Sequence, residues 1–294
     1  MTLFDRFTQH SARFTQRERQ LVAYLLAKHP QSMLEPATVI AQKAGISPAT
    51  VVRFFAKLGY NSFADAQREV RNEVFSKLAS PAQRMELATR SDHSVEGIVQ
   101  NALADDQENI LNTLKQLNMA ETKEIVRLLS QQRPPGRLFC LGGKNIFAVA
   151  HYLQTHLNLC RPNVVLLDSR PGNIADQLLW AQPGDLLFVI TIRRYTRSVI
   201  QAAQYFQRMG NTVIALADSP VAPITALADH RLLINTSSAS PFDSHTAAFS
   251  VCHALVSAVA AKRRVDVEAT LQRGEAAWAH FDVFFNDAFD DPER

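Results

Sequence analysis

The 294-residue chain is 47% hydrophobic and 20% charged, which excludes disordered and fibrous classes and is long enough for two domains of ordinary size. Its net charge of +3 is unevenly spread: residues 1–77 carry 11 Lys or Arg against 6 Asp or Glu, so that segment is +5 and the remainder −2. The basic excess points the N-terminal quarter towards a polyanion. Cys140, Cys160 and Cys252 are too widely spaced for a zinc or redox motif. The nearly apolar run Ala247–Ala261 is shorter than a membrane span and is interrupted by Ser250, His253 and Ser257. Residues 1–10 lack the apolar core of a signal peptide. The expectation is a cytoplasmic protein without metal or cofactor and with no membrane partner.

The sequence Thr15-Gln16-Arg17-Glu18 forms a capping box, and Leu21, Val22, Leu25 and Leu26 follow at helical spacing, predicting a helix over Thr15–His29 that Pro30 stops. A short helix is predicted over Ala37–Ala44. Gly45 then supplies a permissive turn, Ser47 an N-cap, Pro48 a first helical residue and Gly59 a stop. Between them Val51, Phe54, Phe55 and Leu58 face inward, while Thr50, Arg53 and Lys57 share an outward face. Two short helices joined by a tight turn, the second capped and basic, describe a helix-turn-helix. Its second helix would enter the major groove of double-stranded DNA, with Ser47, Thr50 and Arg53 near base edges and Lys43, Lys57 and Tyr60 near phosphates. A plain helical bundle with a solvated face is the bland alternative.

The run Phe14–Val74 resembles the N-terminal domain of RpiR-type regulators, most closely over residues 44–63, Ala-Gly-Ile-Ser-Pro-Ala-Thr-Val-Val-Arg-Phe-Phe-Ala-Lys-Leu-Gly-Tyr-Asn-Ser-Phe. The resemblance implies a DNA-binding domain over residues 1–77.

Residues 78–93, with Ser80-Pro81 and Thr89-Arg90-Ser91-Asp92, read as a linker. Helices follow over Ser94–Leu117 and Glu121–Gln131, and Pro134-Pro135-Gly136 marks a change of pattern. Strands are then predicted at Arg137–Leu141, Val164–Leu167, Leu186–Thr191, Thr212–Leu216 and Arg231–Ile234. The intervening helices are Ile146–Leu159, Ile174–Ala181, Thr196–Met209, a short piece near Ile224, and His245–Lys262. Such alternation predicts a five-stranded parallel sheet covered by helices on both faces, within an α/β domain spanning residues 94–285.

Ligands of such sheets bind beyond the carboxyl ends of the strands, so three loops stand out. Gly142-Gly143-Lys144-Asn145 offers free amides and a cation. Arg193-Arg194-Tyr195-Thr196 concentrates positive charge at a helix start, where an anion or a subunit carboxylate would neutralise it. The third loop contributes the hydroxyls of Ser237 and Ser240. A small anionic effector is the expected ligand, and a solvated basic or polar loop the alternative.

Residues 125–262 resemble the sugar isomerase (SIS) domain, which follows the DNA-binding domain in RpiR-type regulators. In that family one strand ends in Gly-x-Gly-x-Ser and another in Ser-x-Ser-Gly-x-Thr, whose hydroxyls cradle a phosphosugar. Here Lys144 replaces the serine of the first motif, and Arg193 and Arg194 replace the serine and glycine of the second, with Thr196 kept. The resemblance therefore implies an anion site in which cations stand for hydroxyls, suited to a phosphosugar, a sugar acid or another carboxylate.

An isomerase would need a base, and His245, Asp243 and His151 are the nearby groups; none has a spacing that compels catalysis. The expected protein is a regulator, acting as a homodimer or homotetramer on an inverted-repeat operator, with an aldose–ketose isomerase as the alternative. Val265–Phe285 reads as a helix whose Leu271, Trp278, Phe281, Phe284 and Phe285 dock on the body or on a partner subunit, and 286–294 as a frayed acidic tail.

Overall fold

In the computed structural model, residues 3–10, 13–27, 31–77, 80–88, 94–131 and 136–285 are described. They form two compact units, one reaching to Glu108 and including Ser237–Ser244, the other comprising Asn109–Thr236 and the chain from His245 onward.

The first unit is helical: α1 (Leu3–His10), α2 (Gln16–Ala27), α3 (Ala37–Ala44), α4 (Pro48–Lys57), α5 (Phe63–Lys77) and α6 (Pro81–Ala88). The predicted capping box is present, Thr15 N donating to Glu18 Oε2 at 2.7 Å and Glu18 N to Thr15 Oγ1 at 3.3 Å. Phe54 and Phe55, buried on α4, pack with Phe7, Phe14, Phe63 and Tyr60 at 5.0–6.1 Å between ring centroids. These rings join Leu21, Leu25, Met33 and Ile40 in one core.

The segment read as a linker contains α6, so residues 81–88 are not linker; residues 78–79 and 89–93 lie outside the described set. Ser80 Oγ accepts from Ala82 N at 3.2 Å at the start of α6, and Pro81 opens it. Arg84, 4% exposed, donates from Nη1 and Nη2 to the two carboxylate oxygens of Asp243 at 2.7 and 3.1 Å. That bidentate pair is one reason residues 237–244 belong to this unit.

Helix α7 (Val95–Gln116) contains the division between the units. The second unit continues with α8 (Met119–Leu129), β1 (Leu138–Gly142), α9 (Phe147–Cys160), β2 (Val164–Leu167), α10 (Pro171–Gln177), β3 (Leu186–Thr191), α11 (Arg197–Arg208), β4 (Thr212–Ala217), β5 (His230–Leu233), α12 (Thr246–Lys262) and α13 (Arg264–His280). All five predicted strands are present within one residue of the expected bounds. They form one parallel sheet in the order β2-β1-β3-β4-β5.

Strand residues alternate between two cores. Leu138, Cys140, Phe188 and Ile190 pack under α8, α9 and α12. Phe139, Leu141, Leu187 and Val189 pack under α10 and α11. The order reverses between β1 and β3, the topological switch at which open α/β sheets hold ligands.

Candidate functional site

In the first unit, Gly45 closes α3 at φ 68°, a left-handed conformation that favours glycine. Ser47 Oγ accepts from Thr50 N at 3.2 Å and lies 2.8 Å from Thr50 Oγ1, so the start of α4 is capped. Val51, Phe54 and Phe55 are buried. The opposite face shows Ser47, Ala49, Val52, Arg53, Ala56 and Lys57, with Thr50 half-buried at its edge.

Arg53 is exposed and makes no ion pair among the described residues; its Nε donates to Ala49 O at 3.3 Å. Lys57 reaches Glu18 at 2.9 Å and Lys43 reaches Glu35 at 2.6 Å. Both carboxylates stay below the usual range despite partial burial, because each receives charged donors. Exposed pairs of this kind contribute little stability, about 0–1 kcal/mol, so either lysine can turn to a phosphate at small cost.

Tyr60 does not share this surface. It is 8% exposed and donates its hydroxyl to Glu69 at 2.9 Å, beneath the Arg6 guanidinium 4.3 Å from its ring. Burial and Glu69 push its phenol pKa up. The turn at Gly59, φ 87°, swings the ring back against Phe55. Val52, 47% exposed and not foreseen from sequence, sits among the outward residues; its apolar character hid it among core positions.

In the second unit, the loops after β1 and β3 meet at the sheet's switch point. A side chain at Gly143 would lie 2.6 Å from Thr196 Oγ1 and 2.8 Å from Thr196 Cβ, so only glycine allows this contact. Lys144 and Asn145 are exposed just beyond, and Asn145 Nδ2 lies 3.4 Å from His245 Nε2 at the start of α12. Thr196 precedes α11, whose first amides have no intrahelical acceptor and favour negative charge.

Arg193 of the arginine loop is neutralised differently from the sequence expectation. Asp218, just past β4 and missed in the sequence, lies 3.7 Å from Arg193 Nε and accepts Arg193 N at 3.4 Å and the Tyr195 hydroxyl at 3.1 Å. One carboxylate of the same chain therefore balances Arg193, so neither an anion nor a subunit is required there. Burial raises the Asp218 carboxyl above its ordinary value, against the opposing pull of Arg193 and Tyr195. The Tyr195 phenol is pushed up to about 12 by burial and by Asp218. Arg194 is exposed and makes no ion pair among the described residues.

Gly142, Gly143, Lys144, Asn145 and Arg193–Thr196 thus converge. Ser237 and Ser240 lie in the other unit, where Ser240 Oγ closes a local turn by accepting from Phe242 N at 3.0 Å. Asp243, weighed as a base, is held by Arg84. Among the described residues no group of His, Cys, Asp and Glu could hold a metal, and no helix is long and apolar enough to cross a membrane.

Residues 1–77 match the family model for the helix-turn-helix domain of the rpiR family, and residues 131–258 match that for the SIS domain. The HTH-type transcriptional regulator HexR of Pseudomonas aeruginosa is 25% identical over 262 residues, covering 87% of this chain and 88% of that protein. The sugar isomerase domain of an RpiR transcription factor from Sphaerobacter thermophilus superposes with a TM-score of 0.55 at 24% identity, over 60% of this chain and 97% of that one. The NanR protein of Vibrio vulnificus, solved in complex with ManNAc-6P, superposes with a TM-score of 0.57 at 19% identity, over 97% of this chain and all of that one. With a helix-turn-helix of the rpiR type followed by a SIS domain on a five-stranded parallel sheet, the chain belongs to the RpiR-type transcriptional regulators.

Proposed function

We propose that α4 reads an inverted-repeat operator from the major groove, and that the loops after β1 and β3 bind a phosphorylated or carboxylated sugar that controls that binding. Ser47, Thr50 and Arg53 would contact base edges, Val52 and Ala49 thymine methyls, and Lys43 and Lys57 phosphates. The anion would lie against the Gly142–Gly143 amides and the start of α11. Lys144 and Arg194 supply charge, and Asn145 and Thr196 supply hydrogen bonds. Arg193 and Tyr195, held by Asp218, set the shape of the wall.

The observation that carries this reading is the packing of Gly143 against Thr196 at the sheet's switch point, with exposed Lys144 and Arg194 beside it. The ManNAc-6P complex of the Vibrio relative favours a phosphosugar within the anionic class. The reading makes the second unit a sensor in a cytoplasmic regulator that works as a homodimer or larger symmetric assembly, and not a catalyst. His245 faces Asn145, and Asp243 is committed to Arg84.

The test is a melting-temperature screen of the full chain against phosphosugars, sugar acids and organic acids. A ligand at a hundred times its dissociation constant adds about 2.7 kcal/mol of stability. A hit abolished by Arg194→Ala and Lys144→Ala supports the site. A hit unaffected by both places the ligand elsewhere. Turnover of the ligand by the purified chain would favour the isomerase reading.

A further inference from the structure

Within the second unit, α8, α9 and α12 end together where the strands begin. Arg161, the residue after α9, donates from Nη1 to Leu129 O at 3.4 Å. Arg263, the residue after α12, donates from Nη1 to Gln131 O at 3.3 Å. Both arginines are buried, at 2% and 8% exposure, so two guanidinium groups converge on the end of α8. Basic side chains commonly cap the last carbonyls of a helix, and one nitrogen of each arginine does so here.

Capping leaves most of the donors over. Arg161 Nε and Nη2, Arg263 Nε and the Ser130 hydroxyl are buried without a hydrogen-bond partner. Arg161 Nε and Nη2 form one edge of the guanidinium, whose parallel N–H bonds match two oxygens of a carboxylate or phosphate.

Charge is left over as well. Among the described residues Arg161 meets no carboxylate, and Arg263 meets Asp266, half exposed, at 3.2 Å. Burial, and after it the charge of Arg263, lowers the Arg161 pKa to about 10, so the two cations act on one another. A buried cation is costly unless a counter-charge and acceptors surround it, and a helix end supplies partial charge only.

We infer that Arg161, Arg263 and Ser130 form a second anion site, which takes a compact oxyanion, a phosphate or a small carboxylate. Arg161 grips two oxygens with its Nε–Nη2 edge, and Arg263 Nε and the Ser130 hydroxyl donate to the same ion. The site is distinct from the loops proposed to hold the effector. Helix α9 begins just after the Gly142–Asn145 loop and ends at Arg161, and its 14 residues span about 21 Å. Ser130 and Gln131 are half-buried and the two arginines lie deeper, which suits a bare ion rather than a sugar phosphate.

Melting of the full chain in sodium phosphate and in sodium acetate, at ionic strength held constant with chloride, tests the inference. The titrations are made on Lys144→Ala/Arg194→Ala, which disables the proposed effector site, so that the two sites are scored separately. A saturable rise in melting temperature with either ion is expected, and the ion that gives it identifies the oxyanion. On the same background Arg161→Lys, which keeps the charge but loses the fork, should lower the affinity about tenfold or more. Ser130→Ala guards against misfolding of that variant, because its hydroxyl holds no partner in the fold. It should lower the affinity roughly threefold to tenfold, the worth of one hydrogen bond, at unchanged melting temperature in chloride. The absence of a saturable rise with both ions overturns the inference. Unchanged affinity in either variant also overturns it, marking an adventitious ion only.

Discussion

Replacing Gly143 with alanine isolates the contact that joins the loops after β1 and β3, the two proposed to hold the effector. Gly143 has φ −93° and ψ 145°, an extended conformation that alanine adopts without strain, so the whole effect comes from the added methyl. That methyl would meet Thr196 Oγ1 at 2.6 Å, Thr196 Cβ at 2.8 Å and Val199 Cγ2 at 3.0 Å. Two of these atoms are fixed to the α11 backbone or stiff at χ1, and Val199 is fully buried, so no flexible side-chain end can yield. Overpacking of this kind costs about 1–3 kcal/mol, and the lack of a yielding partner places G143A in the upper half of that range. Urea unfolding of the full chain followed by circular dichroism should show a lower midpoint at unchanged slope for the α/β transition. The melting temperature should fall by about 4–8 °C for ~2 kcal/mol. Pushing α11 away from the first loop should also weaken the anionic effector. The double variant G143A/T196A, which removes the 2.6 Å contact but not the 2.8 Å one, should recover part of the stability. A G143A protein within about 0.5 kcal/mol of the parent, which is the ordinary range for surface changes, would refute the reasoning.

Three further outcomes are expected. Arg53→Ala should weaken operator binding by about 1–3 kcal/mol while leaving random-sequence binding nearly unchanged; an equal loss on both in a salt-controlled titration would make Arg53 a phosphate contact. Arg84→Ala should cost about 3–5 kcal/mol, because it removes the bidentate cation from the buried Asp243 carboxylate, whereas replacing both partners with Met and Leu should cost less than the sum of the single changes in a double-mutant cycle. Asp218 has a folded pKa raised above its ordinary value of 3.8, so its contribution to stability is fullest below that value and is lost as pH rises through the folded pKa. Unfolding free energies measured from pH 3 to 7 should therefore shift in favour of Asp218→Asn relative to the parent as pH rises, and a shift of the opposite sign would mean that Arg193 outweighs the burial.

What could be read from the sequence is what neighbouring residues decide. Ser47, Pro48 and Gly45 act within one turn of the helices they bound, so the helix-turn-helix was legible before any contact was known. The strands were legible because a sheet covered on both faces needs continuous apolar runs such as Leu186–Thr191. The two loops proposed to hold the effector followed from the rule that parallel strands present their carboxyl ends together. The tertiary structure decided the rest, because each remaining feature depends on residues far apart in the chain. Asp218 neutralises Arg193 from the next strand, 25 positions away, through the parallel register of β3 and β4. Arg84 meets Asp243 across 159 positions, and this drew residues 237–244, with Ser237 and Ser240, into the helical unit. Tyr60 looks like a surface residue beside a glycine until the turn at Gly59 folds it into the aromatic core.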